Sequence, residues 1–377
     1  MSEPAYPAAR AIAQRLAGHF TRHVAAARAR GHHEIAEAPD ASAIEAMIDA
    51  AFWASLRREE GVTPTISLAY VPPAAAGHAL TFADRLPLRP AALARLAPAV
   101  ERPGIHLGVW RQGGDLAVWG TTRTVPAFGF VVEVVASGLL VVKHRGEPFG
   151  KFVNVAVLEG DQIKMIDEGF STTPECPGPV RSLLGFDALP GFGSVDVLAQ
   201  LAVSMRAHGR GGTLLVVPSG TDDWRHSIVG PVLYAVSPPF SELVDLMRRE
   251  PAEHDRHDWQ DDLRRAVDAV AGLTAVDGAT LVSDRYEIVA FGAKITRRRG
   301  QPPVERVVVT EPIEGAATDV ATPSELGGTR HLSAAQFVHD QRAASALVAS
   351  QDGRFTIFKW SPTDELVHAH RVEALLL

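Results

Sequence analysis

The chain has 377 residues, 46% of them apolar and 21% charged, with a mean hydropathy of +0.04, the composition of a globular protein long enough for two or three domains. A formal charge of −7 and a pI near 6.1 exclude a nucleic-acid polymer as a bulk partner, because phosphate backbones are bound by cationic surfaces. A single cysteine, Cys176, excludes an intrachain disulfide and a thiolate metal cluster. No apolar run reaches the roughly 20 residues of a membrane helix and no secretory leader is legible, so no membrane partner and a cytoplasmic location are expected.

Ile12, Leu16, Phe20 and Val24 fall four residues apart, which predicts an amphipathic helix from Pro7 to about Arg30, with Arg10, Arg15, Arg22 and Arg28 on its wet side. The His32-His33 pair beyond it reads as surface, because adjacent side chains point apart. A second helix is predicted over Ala41 to Glu60, capped by Asp40 or Ser42, on the apolar stripe of Ile44, Met47, Ile48 and Ala51. The period then changes. Residues 65–70, 105–110, 116–119, 130–135, 139–142 and 153–157 are β-branched or aromatic runs bounded by Gly, Pro or Asp, so they read as strands, with a short helix near Pro90 to Ala99. Trp110, Trp119 and Phe130 in these strands could serve either a core or a protein-interaction surface.

Residues 171–193 are dense in Pro and Gly and read as a crossing segment. A helix over Val195 to His208 stops at Gly209–Gly212, and Thr213–Val217 is wholly apolar, as a strand covered on both faces requires. A loop is expected from Pro218 to Pro239, helices over 240–249 and 259–271, strands over 279–282, 287–294 and 304–309, a helix from Gly328 to His339, and a hairpin of 346–349 and 355–358 turning at Asp352-Gly353. The Arg297–Arg299 run reads as a solvated hairpin tip, and His254, Asp255, His257, Asp258, Asp261 and Asp262 as a solvated loop and helix start. Ser219–Asp223 follows a strand, where α/β sheets hold ligands. No Ser-His-Asp triad can be selected by spacing.

The glycine stop before Thr213–Val217, then Asp277-Gly278-Ala279, then Gly328-Thr329-Arg330-His331, then Ala346–Ser350 with its hairpin, resemble the diadenylate cyclase (DAC) domain in order and approximate spacing. The resemblance covers about residues 195 to 360. It implies a fold in which two domains face one another and join two ATP molecules into cyclic di-AMP, an aspartate holding ribose and metal while an Arg-His-Arg run grips phosphates at a helix head. Asp277, Gly278, Ala279, Gly328, Thr329, Arg330, His331 and Ser350 then form the nucleotide site, with Asp277 as the catalytic candidate, and Mg²⁺ or Mn²⁺ would enter only with bound nucleotide.

Two departures stand out. Leu332 replaces the second arginine, and Gln351 replaces the glutamate of a Ser-Glu pair, so a phosphate donor and a negative charge are lost. Loss of transition-state electrostatics commonly slows a reaction by about 10²-fold or more. The chain is therefore similar to the branch described as probable sensor domains, the DACNV type.

The expected class is α/β, α+β overall: leading helices (1–62), a β-rich domain (63–170), a linker (171–194), and a DAC-like mixed sheet flanked by helices (195–377). The expected function is an adenine-nucleotide or cyclic-dinucleotide sensor that self-associates through the DAC-like domain, against the alternative of an active diadenylate cyclase. A third reading makes the α/β domain a relic and the first half an interaction surface.

Overall fold

The computed structural model describes residues 5–377 apart from 33, 59, 60, 62, 147–151, 186–195, 233, 251, 252 and 255. His33, Glu60, Val195 and Asp255 therefore lie outside the described residues. The chain divides into two units, Met1–Ile166 with Leu377, and Asp167–Leu376, and its class is α/β with a β-rich N-terminal region.

The first unit begins with α1 (Pro7–Ala29) and α2 (Ala41–Ser55). Asp40 caps α2 by accepting a hydrogen bond of 2.8 Å from the Ala43 amide, satisfying one of the orphan donors of a helix start. The stripes predicted from spacing are the buried ones: Ile12, Leu16, Phe20, Ile44, Met47 and Ile48 pack against Leu68, Val132, Val134, Leu140 and Val142 of the sheet. Each fully buried side chain of this size is stabilised by about 1.5–3 kcal/mol relative to its exposed state.

That sheet contains β1 (Ile66–Tyr70), β2 (Leu80–Pro87), β3 (His106–Gln112), β4 (Asp115–Thr122), β5 (Phe130–Ala136), β6 (Leu139–Arg145), β7 (Phe152–Glu159) and β8 (Gln162–Met165), in the order β2-β4-β3-β1-β5-β6-β7-β8, with α3 (Pro90–Leu96) between β2 and β3. β1 lies parallel to β3 and antiparallel to β5, and all five of its residues are buried. Trp119 and Phe130 are core residues and Trp110 is half-buried, so the strand aromatics do not form an exposed interaction surface. Trp119 packs so closely on β3 that a Cβ at Gly108 would lie 2.1 Å from its ring, and its indole N–H donates to the Val71 carbonyl at 2.8 Å.

The second unit carries α4 (Gly178–Leu183), α5 (Val197–Ala207), α6 (Glu242–Met247), α7 (His257–Leu273), α8 (Pro323–Leu326) and α9 (Thr329–Asp340). Its strands are β9 (Gly212–Val217), β10 (Tyr234–Phe240), β11 (Ala279–Ser283), β12 (Ile288–Ala293), β13 (Val307–Thr310), β14 (Asp319–Ala321), β15 (Ser345–Ala349), β16 (Phe355–Ser361) and β17 (Leu366–Arg371), ordered β10-β12-β11-β9-β15-β16-β17-β13-β14. β9 is central and buried at every position, parallel to β11 and antiparallel to β15. Ala334, Ala335, Phe337 and Val338 of α9 cover one face through Leu215, Leu281, Ala346, Val348 and Phe358, while α5 and α7 pack together and reach β15 and β12.

Several elements differ from the sequence-based expectation. α2 ends at Ser55, five residues before Glu60. β10 occupies part of the expected 218–239 loop and α4 part of the expected crossing segment; β10 is a largely exposed edge strand and carries little apolar signal. β2, β8, β14 and β17 are also additional. Arg297–Arg299 is not a hairpin tip, because β13 starts at Val307 and pairs with β17 and β14 instead of with β12; the Arg298 amide donates to Asp340 Oδ2 at 2.7 Å. His254 is buried and stacks on Trp259 with centroids 4.2 Å apart, while Asp258 and Asp261 pair with Arg256 and Arg264 at the start of α7.

Candidate functional site

β9 and β11 run parallel and therefore begin at the same edge of the second sheet. β15, antiparallel to β9, ends there, with Ala349 opposite Gly212. β12 ends there too, because Ala293 pairs with Ala279 at the start of β11. Four chain segments, 209–212, 275–278, 294 and 349–354, thus share one edge for reasons of strand direction alone.

Asp277 lies immediately before β11 with a carboxylate that is 92% exposed, and Lys294, immediately after β12, donates to its Oδ2 at 2.6 Å. The hydrogen bond and charge of Lys294, joined by the charge of Arg330, hold the Asp277 carboxyl below the usual carboxylate range. Gly278 continues the turn at φ +116°, and a Cβ there would come within 2.5 Å of the Gly292 carbonyl carbon, so glycine is required for β11 and β12 to close this edge. Ala279 is buried as the first residue of β11.

Gly328 is the N-cap of α9, and Thr329 and Arg330 stand exposed in its first turn. The Arg330 guanidinium reaches the sheet edge: a Cβ placed on Gly211 would be 3.0 Å from its Nη1, 3.2 Å from the Ala349 carbonyl oxygen and 3.3 Å from Gln351 Cγ. Ser350 forms the hairpin base, its amide donating to the Arg354 carbonyl at 2.9 Å, and Gln351 donates to the Arg210 carbonyl at 3.4 Å. Asp277, Arg330 and Ser350 are thereby gathered at one edge.

His331 is placed differently. Its ring is buried beneath the α9 start, 3.3 Å from Thr356 Oγ1 through Nε2 and edge-on to Phe358. Burial pushes its pKa down, which favours the neutral ring. A Cβ at Gly327 would lie 2.5 Å from its Nδ1, so the imidazole supports the loop before the helix while Arg330 faces solvent. Leu332 is 43% exposed. The Ser219–Asp223 loop follows the C-terminal end of β9, where the Ser219 amide donates to Asp284 Oδ1 at 3.0 Å; this is the end opposite Asp277.

Gly211, legible in the sequence only as part of a helix stop, belongs to this edge, and so does Lys294, which the sequence does not single out, since a lone lysine at a strand end becomes informative only once its antiparallel partner is known. The donor set does not make a resident metal site. Among the described residues, Asp277 belongs to no group of three or more His, Cys, Asp or Glu ligand atoms within 4.8 Å of one another, and its carboxylate is already paired with an ammonium.

Among the described residues of the first unit, the closest approach to a catalytic triad fails on its geometry. Ser67 Oγ lies 2.7 Å from His106 Nδ1 and 3.5 Å from Glu133 Oε1, so the acid sits on the serine and not on the imidazole it would have to orient.

Among the described residues, no helix is long and apolar enough to cross a membrane. Residues 33–123 match the family model "Probable sensor domain DACNV", about a quarter of the chain. The match covers α2 to β4 of the first unit, whereas the motifs that resemble the DAC domain lie between 195 and 360. It supports a sensor role without bearing on Asp277 or Arg330. No curated protein matches the chain. A solved structure described as "the hypothetical membrane spanning protein from Bacillus cereus" is similar at 15% identity and a TM-score of 0.26, over 46% of this chain and 61% of that one. The chain thus spans less than two thirds of that protein's length, and a likeness of that degree carries no argument about fold or activity.

Proposed function

We propose that the protein is a ligand sensor whose second unit holds the phosphates of an adenine nucleotide or cyclic dinucleotide at the Asp277, Lys294 and Arg330 edge, without efficient turnover. One observation carries this reading: a guanidinium and an ammonium flank a single exposed carboxylate beside the exposed start of a 12-residue helix. With Arg210 and Arg354 on the cationic side and Asp352 on the anionic, four cations stand against two carboxylates in the segments of this edge, and helix N–H groups add to that excess, a combination suited to phosphate oxygens.

Binding is favoured over catalysis by the same geometry. A carboxylate held ionised by Lys294 is a poor proton acceptor for a ribose hydroxyl, since general-base efficiency falls as the base's pKa drops below working pH. Leu332 and Gln351 add neither a third cation nor a second carboxylate. The DACNV match at residues 33–123 supports the sensor role.

Calorimetric titration with ATP and with cyclic di-AMP tests the proposal: micromolar or tighter binding of one of them is expected. The alternative, an active diadenylate cyclase, predicts cyclic di-AMP by mass spectrometry after incubation with ATP and Mg²⁺ or Mn²⁺, abolished in Asp277→Ala.

A further inference from the structure

β10 is the edge strand beside β12, and its first residue, Tyr234, lies opposite Phe291 in the pairing. The two rings stack with centroids 4.8 Å apart and planes 10° from parallel. Tyr234 nevertheless remains 43% exposed, as an edge position allows. Phe291 backs one face of the ring, so another planar group can add only to the opposite face.

This stack adjoins the phosphate edge. The next residue of β12, Gly292, takes φ +63°, and a Cβ there would meet Tyr234 Cδ2 at 2.7 Å and the Asp277 carbonyl oxygen at 3.6 Å. The tyrosine ring and the aspartate loop thus border one glycine, two residues before Lys294. Val229, 51% exposed, is tied to the same place by its amide, which donates to the Lys294 carbonyl at 2.8 Å. An aromatic ring can cover a strand glycine for packing alone. Packing explains the contact with Gly292, but it does not explain a second exposed apolar side chain at Lys294. Aromatic and apolar side chains beside a few placed charges are the composition of a small-molecule site.

We propose that the Tyr234 ring, backed by Phe291, is the stacking platform for the aromatic base of a nucleotide whose phosphates lie against Lys294 and Arg330, an inference that rests on the phosphate reading of that edge. A base offers its π-face to an aromatic side chain whatever its edge pattern, and the cations alongside take the charged oxygens. The ligand class narrows accordingly: a nucleotide with an accessible base is held better than a polyphosphate or a phosphosugar that has none.

Calorimetry on the full chain with ATP, cyclic di-AMP and inorganic tripolyphosphate, which has phosphates and no base, tests the platform. The better of the two nucleotides is expected to bind at least about tenfold more tightly than tripolyphosphate. In Tyr234→Leu, which keeps bulk over Gly292 and removes the π-face, that preference is expected to vanish while tripolyphosphate binds as it does to wild type; Tyr234→Phe keeps the preference. The wild-type comparison decides by itself if the leucine variant does not fold. Tripolyphosphate bound by wild type as tightly as both nucleotides, or a nucleotide preference intact in Tyr234→Leu, overturns the platform and leaves the phosphate reading standing. Binding of none of the three overturns both.

Discussion

The Arg330 guanidinium fills the space that a side chain on Gly211 would need, Nη1 standing 3.0 Å from where the Cβ would be. A glycine in the stop of α5 and an arginine 119 positions later therefore share one surface. Gly211→Ala is predicted to displace Arg330 and weaken phosphate binding. It also places a Cβ at φ +70°, which costs about 1–2 kcal/mol of stability. Calorimetry and a denaturant melt read the two effects separately.

Lys294→Met removes the partner of Asp277. The carboxyl pKa is expected to rise toward its ordinary value, and nucleotide affinity to fall roughly tenfold as one charge-assisted hydrogen bond of about 1.5 kcal/mol is lost. A carboxylate NMR titration and a binding isotherm check the two outcomes; unchanged affinity separates Lys294 from the ligand.

Gly278→Ala is predicted to destabilise the second unit by about 1–3 kcal/mol, because its Cβ would press on the Gly292 backbone at 2.5 Å and φ +116° is strained for alanine. Gly300→Ala, also at positive φ but with open space around its Cβ, is the control: it should lose only the conformational part. Urea midpoints of the two variants distinguish steric from conformational effects.

His370 on β17 governs part of the acid limb of stability. Burial, then the charges of His368 and Lys359, push its pKa down to about 3, and its Nδ1 sits 2.8 Å from Thr310 Oγ1. The unfolded chain, with an imidazole pKa of about 6.5, binds a proton that the native state refuses, so stability is full above that value and falls as pH drops through the window toward 3. The slope from this one group is up to about 1.4 kcal/mol per pH unit. His370→Gln should flatten the limb, as urea melts from pH 7 to pH 4 would reveal.

What the sequence made legible was the part with strong period. The α1 stripe of Ile12, Leu16, Phe20 and Val24 and the apolar run of β9 were readable because burial on one face or on two leaves a distinct pattern. β10 and β2 were not, because exposed edge strands carry mixed side chains, and Pro238 and Pro239 in β10 argue against a strand. Asp277 and Arg330 could be singled out as loop residues, but their shared edge depends on β9 and β11 being parallel and β15 antiparallel, which spacing does not encode. Lys294 follows from the same pairing. His331 was visible as a residue type, yet only the packing on Thr356 and Phe358 fixes its ring beneath the helix start.

The central claim is that the Arg330 edge holds a nucleotide phosphate, and its most direct test is a calorimetric comparison of wild type and Arg330→Ala with ATP and with cyclic di-AMP. The account predicts micromolar or tighter binding of one of these by wild type, weakened roughly 10- to 100-fold in Arg330→Ala through loss of a charged hydrogen bond of about 1.5–3 kcal/mol. Binding of equal strength in both proteins, or binding of neither ligand to wild type, contradicts it.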